Sequence, residues 1–267
     1  MNLFEAHDLA LSLPDLNAKR PLRPAPRVDI LRGLSFAIPE GACVGIVGES
    51  GSGKSTLGRT LVRLFEPTGG TLSFAGRDIT HLTDAAIRPL RRDLQVIFQD
   101  PASSLNPRRT VGAIVEAPLK LHGVAAPRDK ARQALEEVGL GAAFAARYPH
   151  ELSGGQRQRV GIARAVALEP RFIFADEIVS GLDTSTQAQV IALLKTLQRE
   201  HNLTIAFVSH DLSVVRHLCD ELIVMSAGTI IEKGRTAAVF DHPQHPETQA
   251  FKAAIPLPEV DPTWLGG

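Results

Sequence analysis

The residue types best suited to chemistry begin at Gly48, where a glycine-rich segment leads into a lysine and a serine. The segment fits the pattern G-x-x-x-x-G-K-[ST], in which successive backbone N–H groups form an anion-binding nest. The lysine neutralises the outer phosphates of ATP, and the next hydroxyl is an oxygen ligand of the kind that Mg²⁺ prefers. The residues expected to bind the nucleotide are Gly48, Glu49, Ser50, Gly51, Ser52, Gly53, Lys54, Ser55 and Thr56.

A flexible Gly/Ser loop is the alternative interpretation of this segment. An apolar run, Cys43–Val47, precedes it, and an amphipathic helical pattern follows it through Phe65. A strand before the loop and a helix after it form the context that a phosphate site requires, because the helix N-terminus adds its positive dipole end. The context therefore favours the phosphate site.

Two adjacent carboxylates, Asp176 and Glu177, follow the apolar run Phe172–Ala175. Adjacent acids at the end of a buried strand are costly unless cations or a reaction use them. Asp176 is suited to the role of a Mg²⁺ ligand. Glu177 leaves the strand on the other face and is suited to orient or activate an attacking water. A helix cap at Asp176 is the alternative, but no helical pattern begins there. The pair therefore predicts hydrolysis of the bound nucleotide.

A second candidate anion site lies at residues 152–156, Leu-Ser-Gly-Gly-Gln, before an apolar-periodic helix. Small residues at a helix N-terminus leave N–H groups exposed to an anion. In this segment the sequence resembles the ABC transporter ATPase family, whose signature motif it matches. The resemblance implies that two subunits stack head to tail, so that Ser153 and Gly155 of one cap the γ-phosphate held by Lys54 of the other. The nucleotide-binding residues implied in this segment are Ser153, Gly154, Gly155 and Gln156.

Three further residues occur in the order that the resemblance implies, namely Gln99, Asp183 and His210. The family resemblance implies that Gln99 links Mg²⁺ and the attacking water to a membrane subunit. It also implies that Asp183 signals across the dimer and contributes to nucleotide binding, and that His210 contacts the γ-phosphate. Taken singly, Gln99 also fits a polar strand end and His210 an exposed loop histidine, but their order and spacing favour the functional interpretation. The implied catalytic residues are Glu177, His210 and Gln99, and the implied metal ligands are Ser55, Gln99 and Asp176.

Two positions depart from the family pattern. No aromatic residue that would stack on adenine lies near the first strand, where residues 11–14 read Leu-Ser-Leu-Pro, and the only tyrosine, Tyr148, is distant. We expect adenine to rest on an aliphatic side chain or on the Arg27-Val28 region, with weaker base recognition. Ile178 stands where the family has a proline after the catalytic acid.

The elements that must position these residues are short apolar runs that alternate with helical patterns. Such runs suit strands buried on both faces, and the alternation predicts an α/β domain whose mostly parallel sheet binds ligands at the carboxyl ends of its strands. The runs are Cys43–Val47, Thr71–Phe74, Leu94–Phe98, Phe172–Ala175, Thr204–Val208 and Leu222–Met225.

Between Pro101 and about Ala167 helical patterns replace the strand-like runs, which predicts an inserted helical subdomain. The implied fold class is α/β, a P-loop NTPase with a RecA-like core, a mostly parallel sheet and an antiparallel N-terminal β portion, plus the helical subdomain. The tail is expected to be irregular with one short helix near Glu247–Ile255. We expect one ATP-binding domain over 1–267, in which 1–100 and 167–240 form the core, 101–166 the helical subdomain and 241–267 a C-terminal extension.

Composition argues against several other classes of protein. Lys+Arg and Asp+Glu both number 29, so the chain lacks the positive excess of a phosphate-backbone binder, and nucleic acid is not an expected partner.

Cys43 and Cys219 lie in apolar segments and are expected to be core residues. The proline-rich stretch Lys19–Arg27 is expected to be a solvated loop. No secretory signal or membrane-length apolar window is visible, so we expect a cytoplasmic protein that reaches the membrane through its partners.

Two tracts, residues 91–108 and 245–256, resemble the dipeptide, oligopeptide and nickel importers within the family. The resemblance implies an importer in which this chain works with a second ATP-binding subunit, two transmembrane permease subunits and, indirectly, an extracytoplasmic solute-binding protein. We expect Pro101, Leu105 and Asn106 to contact a short helix of a membrane subunit.

Two alternatives to an importer ATPase remain open. One is a regulatory, weakly catalytic partner in a heterodimeric ATPase, which Ile178 and the missing aromatic favour and which Glu177 and His210 oppose. The other is a soluble non-transport member of the family. Its known forms carry a long coiled-coil insertion or two cassettes, and neither fits 267 residues.

Overall fold

The computed structural model describes residues 1–15 and 25–253. Its strands in chain order are β1 Asn2–Pro14, β2 Arg27–Pro39, β3 Cys43–Gly48, β4 Gly69–Phe74, β5 Arg77–Asp78, β6 Leu94–Ile97, β7 Phe172–Asp176, β8 Thr204–Val208, β9 Glu221–Ser226 and β10 Thr229–Arg235.

The α-helices are α1 Lys54–Leu61, α2 Asp84–Ile87, α3 Pro101–Ser104, α4 Val111–Leu121, α5 Pro127–Glu137, α6 Gly154–Val166, α7 Thr184–His201, α8 Leu212–Leu218, α9 Thr236–Asp241 and α10 Pro246–Ala253. Short 3₁₀ segments cover Arg88–Arg92, Ala142–Ala146 and Pro149–Glu151.

The larger sheet has the order β10-β9-β3-β8-β7-β6, and all of its neighbours are parallel except β10 and β9. Strands β7 and β8 are buried along their whole length, and apart from Asp176 and Thr204 their residues are apolar, as expected in a sheet that is covered on both faces. This arrangement confirms the predicted mostly parallel sheet. Because β3, β8, β7 and β6 are adjacent and parallel, the segments that follow them emerge at one edge.

The smaller sheet is antiparallel, in the order β2-β1-β4-β5, and contains the N-terminal strands. The run Thr71–Phe74 belongs here, so the expectation that it is buried on both faces is wrong: Leu72 and Phe74 are buried, whereas Thr71 is exposed. Phe4 of β1 joins the two sheets, because its ring lies 5.0 Å from that of Phe74 and 4.6 Å from that of Phe172 in β7.

Helix α1 ends at Leu61, four residues before the predicted end at Phe65. The reason is Arg63, whose left-handed backbone (φ 55°) breaks the helix. The Arg63 guanidinium is buried and holds the turn by donating to the carbonyl oxygens of Ile79 (2.7 Å) and Leu82 (2.9 Å). The turn leaves the side chain of Leu64 exposed.

The helices between residues 101 and 166 occur where the sequence predicts them. α4, α5 and α6 pack on one another, and α6 also packs on β6. Their apolar side chains and those of one face of the parallel sheet form one continuous core, which runs from Leu135 and Val160 to Ile173 and Phe207. The division of the chain into a core and a helical subdomain stays a prediction.

Both cysteines are buried free thiols, as expected of core residues, with their Sγ atoms 3.5 Å apart. Burial raises the pKa of Cys43 well above its usual value, and Cys219 adds to the shift.

The solvated-loop prediction for Lys19–Arg27 falls mostly on residues 16–24, which lie outside the described residues. Within residues 1–15 and 25–253, no helix combines the length and apolar character that crossing a membrane requires.

Helix α10 begins at Pro246, close to the predicted start at Glu247. It is fastened to β10, because the Glu232 carboxylate accepts the backbone N–H groups of Gln244 (3.0 Å) and His245 (3.1 Å). The predicted end at Ile255 lies outside the described part of the chain.

Candidate functional site

The loop after β3 has the backbone conformation of an anion-binding nest. Gly48, Gly51 and Gly53 all have positive φ (146°, 81° and 101°), which side chains rarely tolerate. At Gly48 a Cβ atom would also lie 2.1 Å from the carbonyl oxygen of Met225, so only glycine fits there. Ser52 Oγ is buried and has no hydrogen-bond partner in the described structure. A cradle that Cβ atoms would fill and an orphaned hydroxyl fit a phosphate chain.

Lys54 begins α1 and closes this cradle. Its side chain is 7% exposed, and its Nζ donates to the carbonyl oxygens of Gly48 (2.8 Å) and Glu49 (2.7 Å). Burial lowers the pKa of Lys54, while the charges of Glu177 and Asp176 partly oppose that shift. The ammonium group is therefore held inside the loop, beside two carboxylates, where phosphate oxygens can replace the carbonyl acceptors.

Ser55 and Asp176 meet where β7 ends, as the sequence predicts for a pair of metal ligands. Ser55 Oγ donates to Asp176 Oδ1 over 2.7 Å, and Asp176 is 2% exposed. Oxygen donors of this kind suit Mg²⁺, which keeps much of its water and takes few protein ligands when it binds to a nucleotide. Among the described residues no cluster of three or more His, Cys, Asp or Glu side chains could hold a metal ion.

Glu177 lies at the centre of the other predicted set. Gln99 Nε2 donates to Glu177 Oε2 over 2.8 Å, and His210 Nδ1 lies 3.9 Å from the same oxygen. The Glu177 backbone is left-handed (φ 49°), which costs free energy for a residue with a side chain. Its N–H donates to Val208 and its carbonyl accepts from Ser180, so neighbouring segments hold this conformation.

A cavity of about 110 Å³ lies between Glu177 and His210. It has room for water molecules, and its wall includes polar groups of the loops that follow β7 and β8. The residues that line it are Glu177, Val179, Ser180, Gly181, Leu182, Gln187, Ser209, His210 and Asp211.

The predicted signature segment begins α6, with Ser153 as the N-cap, about 100 residues after the phosphate loop. Ser153 Oγ accepts the backbone N–H of Gln156 (3.3 Å), and Gln156 Oε1 accepts that of Ser153 (3.0 Å), which forms a capping box. Gly155 is required by packing, because a Cβ atom there would lie 2.4 Å from Thr186 Cγ2. None of the hydrogen bonds that Ser153 makes in the described structure reaches the phosphate loop. Their meeting at one nucleotide stays a prediction.

Asp183 caps α7 in this structure. Its carboxylate accepts the backbone N–H of Thr186 (2.9 Å) and the hydroxyl groups of Ser185 and Thr186 (2.7 Å each), and these hydrogen bonds hold its pKa far below the usual value. This cap accounts for an aspartate at position 183 without any second subunit. Its roles in nucleotide binding and dimer signalling stay predictions.

The two departures from the family pattern have different structural settings. Ile178 is 1% exposed and belongs to the main core, so an apolar side chain after Glu177 is accounted for by packing. Leu11 is also buried and cannot stack on adenine. Val28 is 44% exposed at the start of β2, and Ile30 of the same strand approaches Gly53. Arg27 and Val28 are exposed, and the binding of adenine there stays a prediction.

One charged residue of the site escaped the sequence analysis. Arg59 Nη2 lies 3.6 Å from Asp176 Oδ2. Arg59 follows Ser55 by four residues on α1, so both side chains lie on one helix face. That spacing is the signal that could have placed Arg59 beside the predicted metal ligand.

Comparison with known proteins identifies relatives of this chain. A family described as ABC transporter matches residues 31–180. The oligopeptide transport ATP-binding protein AppF of Bacillus subtilis is 50% identical over 86% of this chain and 71% of its own length. A putative peptide import ATP-binding protein of Brucella ovis is 51% identical over 87% and 74%, respectively. The solved dimer of the ATP-binding cassette MJ0796 with ADP and Pi superposes with a TM-score of 0.76 at 31% identity, over 87% of this chain and 98% of that one.

Proposed function

Because the chain belongs to the ABC transporter family, we propose that it is the ATP-hydrolysing subunit of an importer for peptides or related small solutes. The observation that carries the proposal is the common edge of the parallel sheet, where the nest after β3 meets the Ser55–Asp176 pair and the Gln99–Glu177–His210 set. Relatives named for oligopeptide transport and peptide import support the class of solute.

The residues of the site divide the work of phosphoryl transfer to water. The nest of residues 48–53 and the Lys54 ammonium bind the phosphates of ATP and offset their charge. Glu177 orients the attacking water, Gln99 fixes the Glu177 carboxylate, and His210 reaches the outer phosphate from the opposite side of the cavity. Mg²⁺, when bound, neutralises charge on the outer phosphates. Ser55 and Asp176 are the residues that would hold it, together with Gln99.

The second ATP-binding subunit completes each nucleotide site. In one chain the capped N-terminus of α6 and the phosphate loop make no hydrogen bond to each other, yet both are suited to anions. A head-to-tail pair brings Ser153, Gly154, Gly155 and Gln156 of one subunit over the nucleotide held by the other. The dimeric state of the MJ0796 cassette supports this arrangement.

A groove next to Gln99 is the proposed contact with the permease subunits. It has a volume of about 440 Å³, and the exposed apolar side chains of Leu64, Phe98 and Leu121 lie along it. Arg91, Arg109 and Arg164 line it as well, and none of the described residues in its wall is Asp or Glu. An amphipathic helix with acidic residues fits a wall of this charge and polarity.

Only part of the sequence prediction for this contact survives. Asn106 lines the groove, but Leu105 is 1% exposed and packs in the core, so the prediction that Leu105 contacts the partner is wrong. The reason is that the turn after α3 directs it inward. The side chain of Pro101 lies outside the described residues.

The importer proposal is tested by purifying the tagged chain from its native membranes and identifying the proteins that remain bound. We expect two permease subunits and a second ATP-binding subunit, which would hold this chain at the inner face of the cell membrane. Phe98→Asp should release the permeases, since it places an anion in an apolar contact. Tyr148→Asp, on a residue of similar exposure outside the groove, is the matched control. Retention of the permeases by the Phe98 variant would contradict the docking site.

A further inference from the structure

Phe251, in the C-terminal helix α10, belongs to no nucleotide-binding motif but lines two cavities beside the site. The larger cavity, about 590 Å³, is bounded by Gly48, Glu49 and Ser50 of the phosphate loop and by residues 209–213 of the loop after β8. The smaller one, about 10 Å³, is bounded by Val47 and Leu212 among others. The phenyl ring forms part of the wall of both.

The smaller cavity shows how tightly this ring is packed. Its volume is no larger than the roughly 10–15 Å³ that one water molecule needs, and most of the side chains that line it are apolar. Val47 immediately precedes the phosphate loop, and Leu212 begins α8 two residues after His210. Phe251 therefore packs where the supports of the phosphate loop and of His210 come together.

The hydrogen bonds of the His210 loop reach its own residues and α7, where Gln187 Nε2 donates to Asp211 Oδ2 over 3.4 Å. The Asp211 carboxylate caps α8 by accepting the N–H of Ser213 (2.9 Å), and the Asp211 N–H donates to Ser209 Oγ (3.0 Å). These bonds shape the loop internally but do not tie it to the phosphate loop. The side chain of His210 itself is 68% exposed.

Helix α10 is itself fixed, so its phenyl ring can serve as a support. Glu232 holds the chain just before the helix through the backbone N–H groups of Gln244 and His245. Near the other end, Lys252 Nζ donates to the carbonyl oxygen of Asp241 over 3.2 Å. The ring is thus carried by an element that is anchored to β10 and α9 rather than to the loops that it touches.

We propose that Phe251 is a positioning residue that holds the His210 loop at a fixed distance from the phosphate loop. The inference rests on the proposed ATPase function and extends it to the C-terminal segment. A side chain that acts in this way sets the geometry of hydrolysis, and it contributes little to ATP binding, because the phosphates are held by the nest and Lys54.

The test measures kcat and KM for ATP of the full chain, purified with the partner subunits it retains. Phe251→Ala should lower kcat about 10-fold, a part of the roughly 10²-fold that a 1 Å misplacement can cost, and leave KM within about 3-fold. Phe251→Leu, which keeps apolar volume, should restore most of the rate. Leu197→Ala is the control for lost core packing, because Leu197 is buried in the same core but lines neither cavity. It should lower thermal stability without lowering kcat.

The same substitution in a His210→Ala background separates positioning from general destabilisation. If Phe251 acts through His210, the double variant should be no slower than His210→Ala alone. An unchanged kcat in Phe251→Ala, an equal loss in Leu197→Ala, or a full additional loss in the double variant overturns the inference and leaves the proposed function intact. A parent complex that does not hydrolyse ATP overturns both.

Discussion

Lys54→Ala tests the phosphate site because it removes the only side-chain cation of the nest. The Lys54 ammonium now donates to two carbonyl oxygens, and phosphate oxygens would replace these acceptors. Each of these bonds already has a charged donor, and phosphate oxygens add a charged acceptor. The attraction between two unit charges ~4 Å apart is about 1 kcal/mol in water and about 4 kcal/mol near a protein surface, so the exchange gains roughly 2–3 kcal/mol. At 1.4 kcal/mol per factor of ten, ATP affinity should fall about 10²-fold.

The fold should tolerate this substitution. Burial lowers the pKa of Lys54, which means that the folded protein disfavours its charged form relative to water, so loss of the charge gives up little stability. For the same reason the ATP affinity of the parent should decline as the pH rises. The decline should begin at a lower pH than it would if Lys54 had the ordinary lysine pKa of about 10.4. The charge-matched control is Lys233→Ala, which removes an exposed ammonium on β10 that donates to the Ser35 carbonyl oxygen.

Isothermal calorimetry with ATP and Mg²⁺ on the parent, Lys54→Ala and Lys233→Ala gives the affinities, and urea unfolding gives their stabilities. We expect a loss of ATP affinity only in the Lys54 variant, with both variants folded. If the Lys54 variant binds ATP within about 3-fold of the parent affinity, the change in binding free energy is less than half of the predicted one. That result would refute the assignment of the nest.

Three further predictions concern the surroundings of the site. Gly58→Ala should lower the free energy of unfolding in urea by about 1–3 kcal/mol, because its Cβ would lie 1.9 Å from the Phe174 ring. Gly161→Ala, where the Cβ would meet open space, should not destabilise the protein. Equal stabilities of the two variants would contradict this packing. Cys43 should resist a thiol reagent in the native protein at pH 8 and react in denaturant, because burial raises its pKa; rapid native labelling at Cys43 would count against its position. The difference in melting temperature between the parent and Asp183→Asn should be constant above about pH 5 and shrink below pH ~4. The pKa of Asp183 is lower in the folded than in the unfolded protein, so its carboxylate stabilises the fold when ionised, and this stability is lost on acidification. A difference that grows in acid would disprove the cap.

The sequence predicted those parts of the site that depend on contiguous residues. The nest, Lys54 and Ser55 follow one strand, and Asp176 and Glu177 end another, so their types and order indicate their place in a parallel sheet. The meeting of Gln99, Glu177 and His210 required only that β6, β7 and β8 be neighbours.

The features that the sequence did not predict depend on packing between distant segments. The core position of Leu105 and the early end of α1 at Leu61 result from contacts with residues far along the chain. The closeness of Phe251 to Leu212 arises from Glu232, which fastens α10 to the sheet. Hydrophobic periodicity indicates which face of a helix is buried but not against which element it packs.

The hydrolysis of ATP by the parent and by Glu177→Gln tests the central claim most directly. The substitution keeps the size of the side chain and one hydrogen-bonding oxygen but removes the carboxylate that orients water. We expect hydrolysis to fall by at least about 10²-fold, the scale of general-base loss, while ATP binding with Mg²⁺ persists. The stalled protein should elute as an ATP-dependent dimer, with itself or with its partner ATP-binding subunit, and return to monomer when ATP is removed. Hydrolysis at the parent rate would show that Glu177 is not the catalytic carboxylate and would favour a regulatory subunit instead.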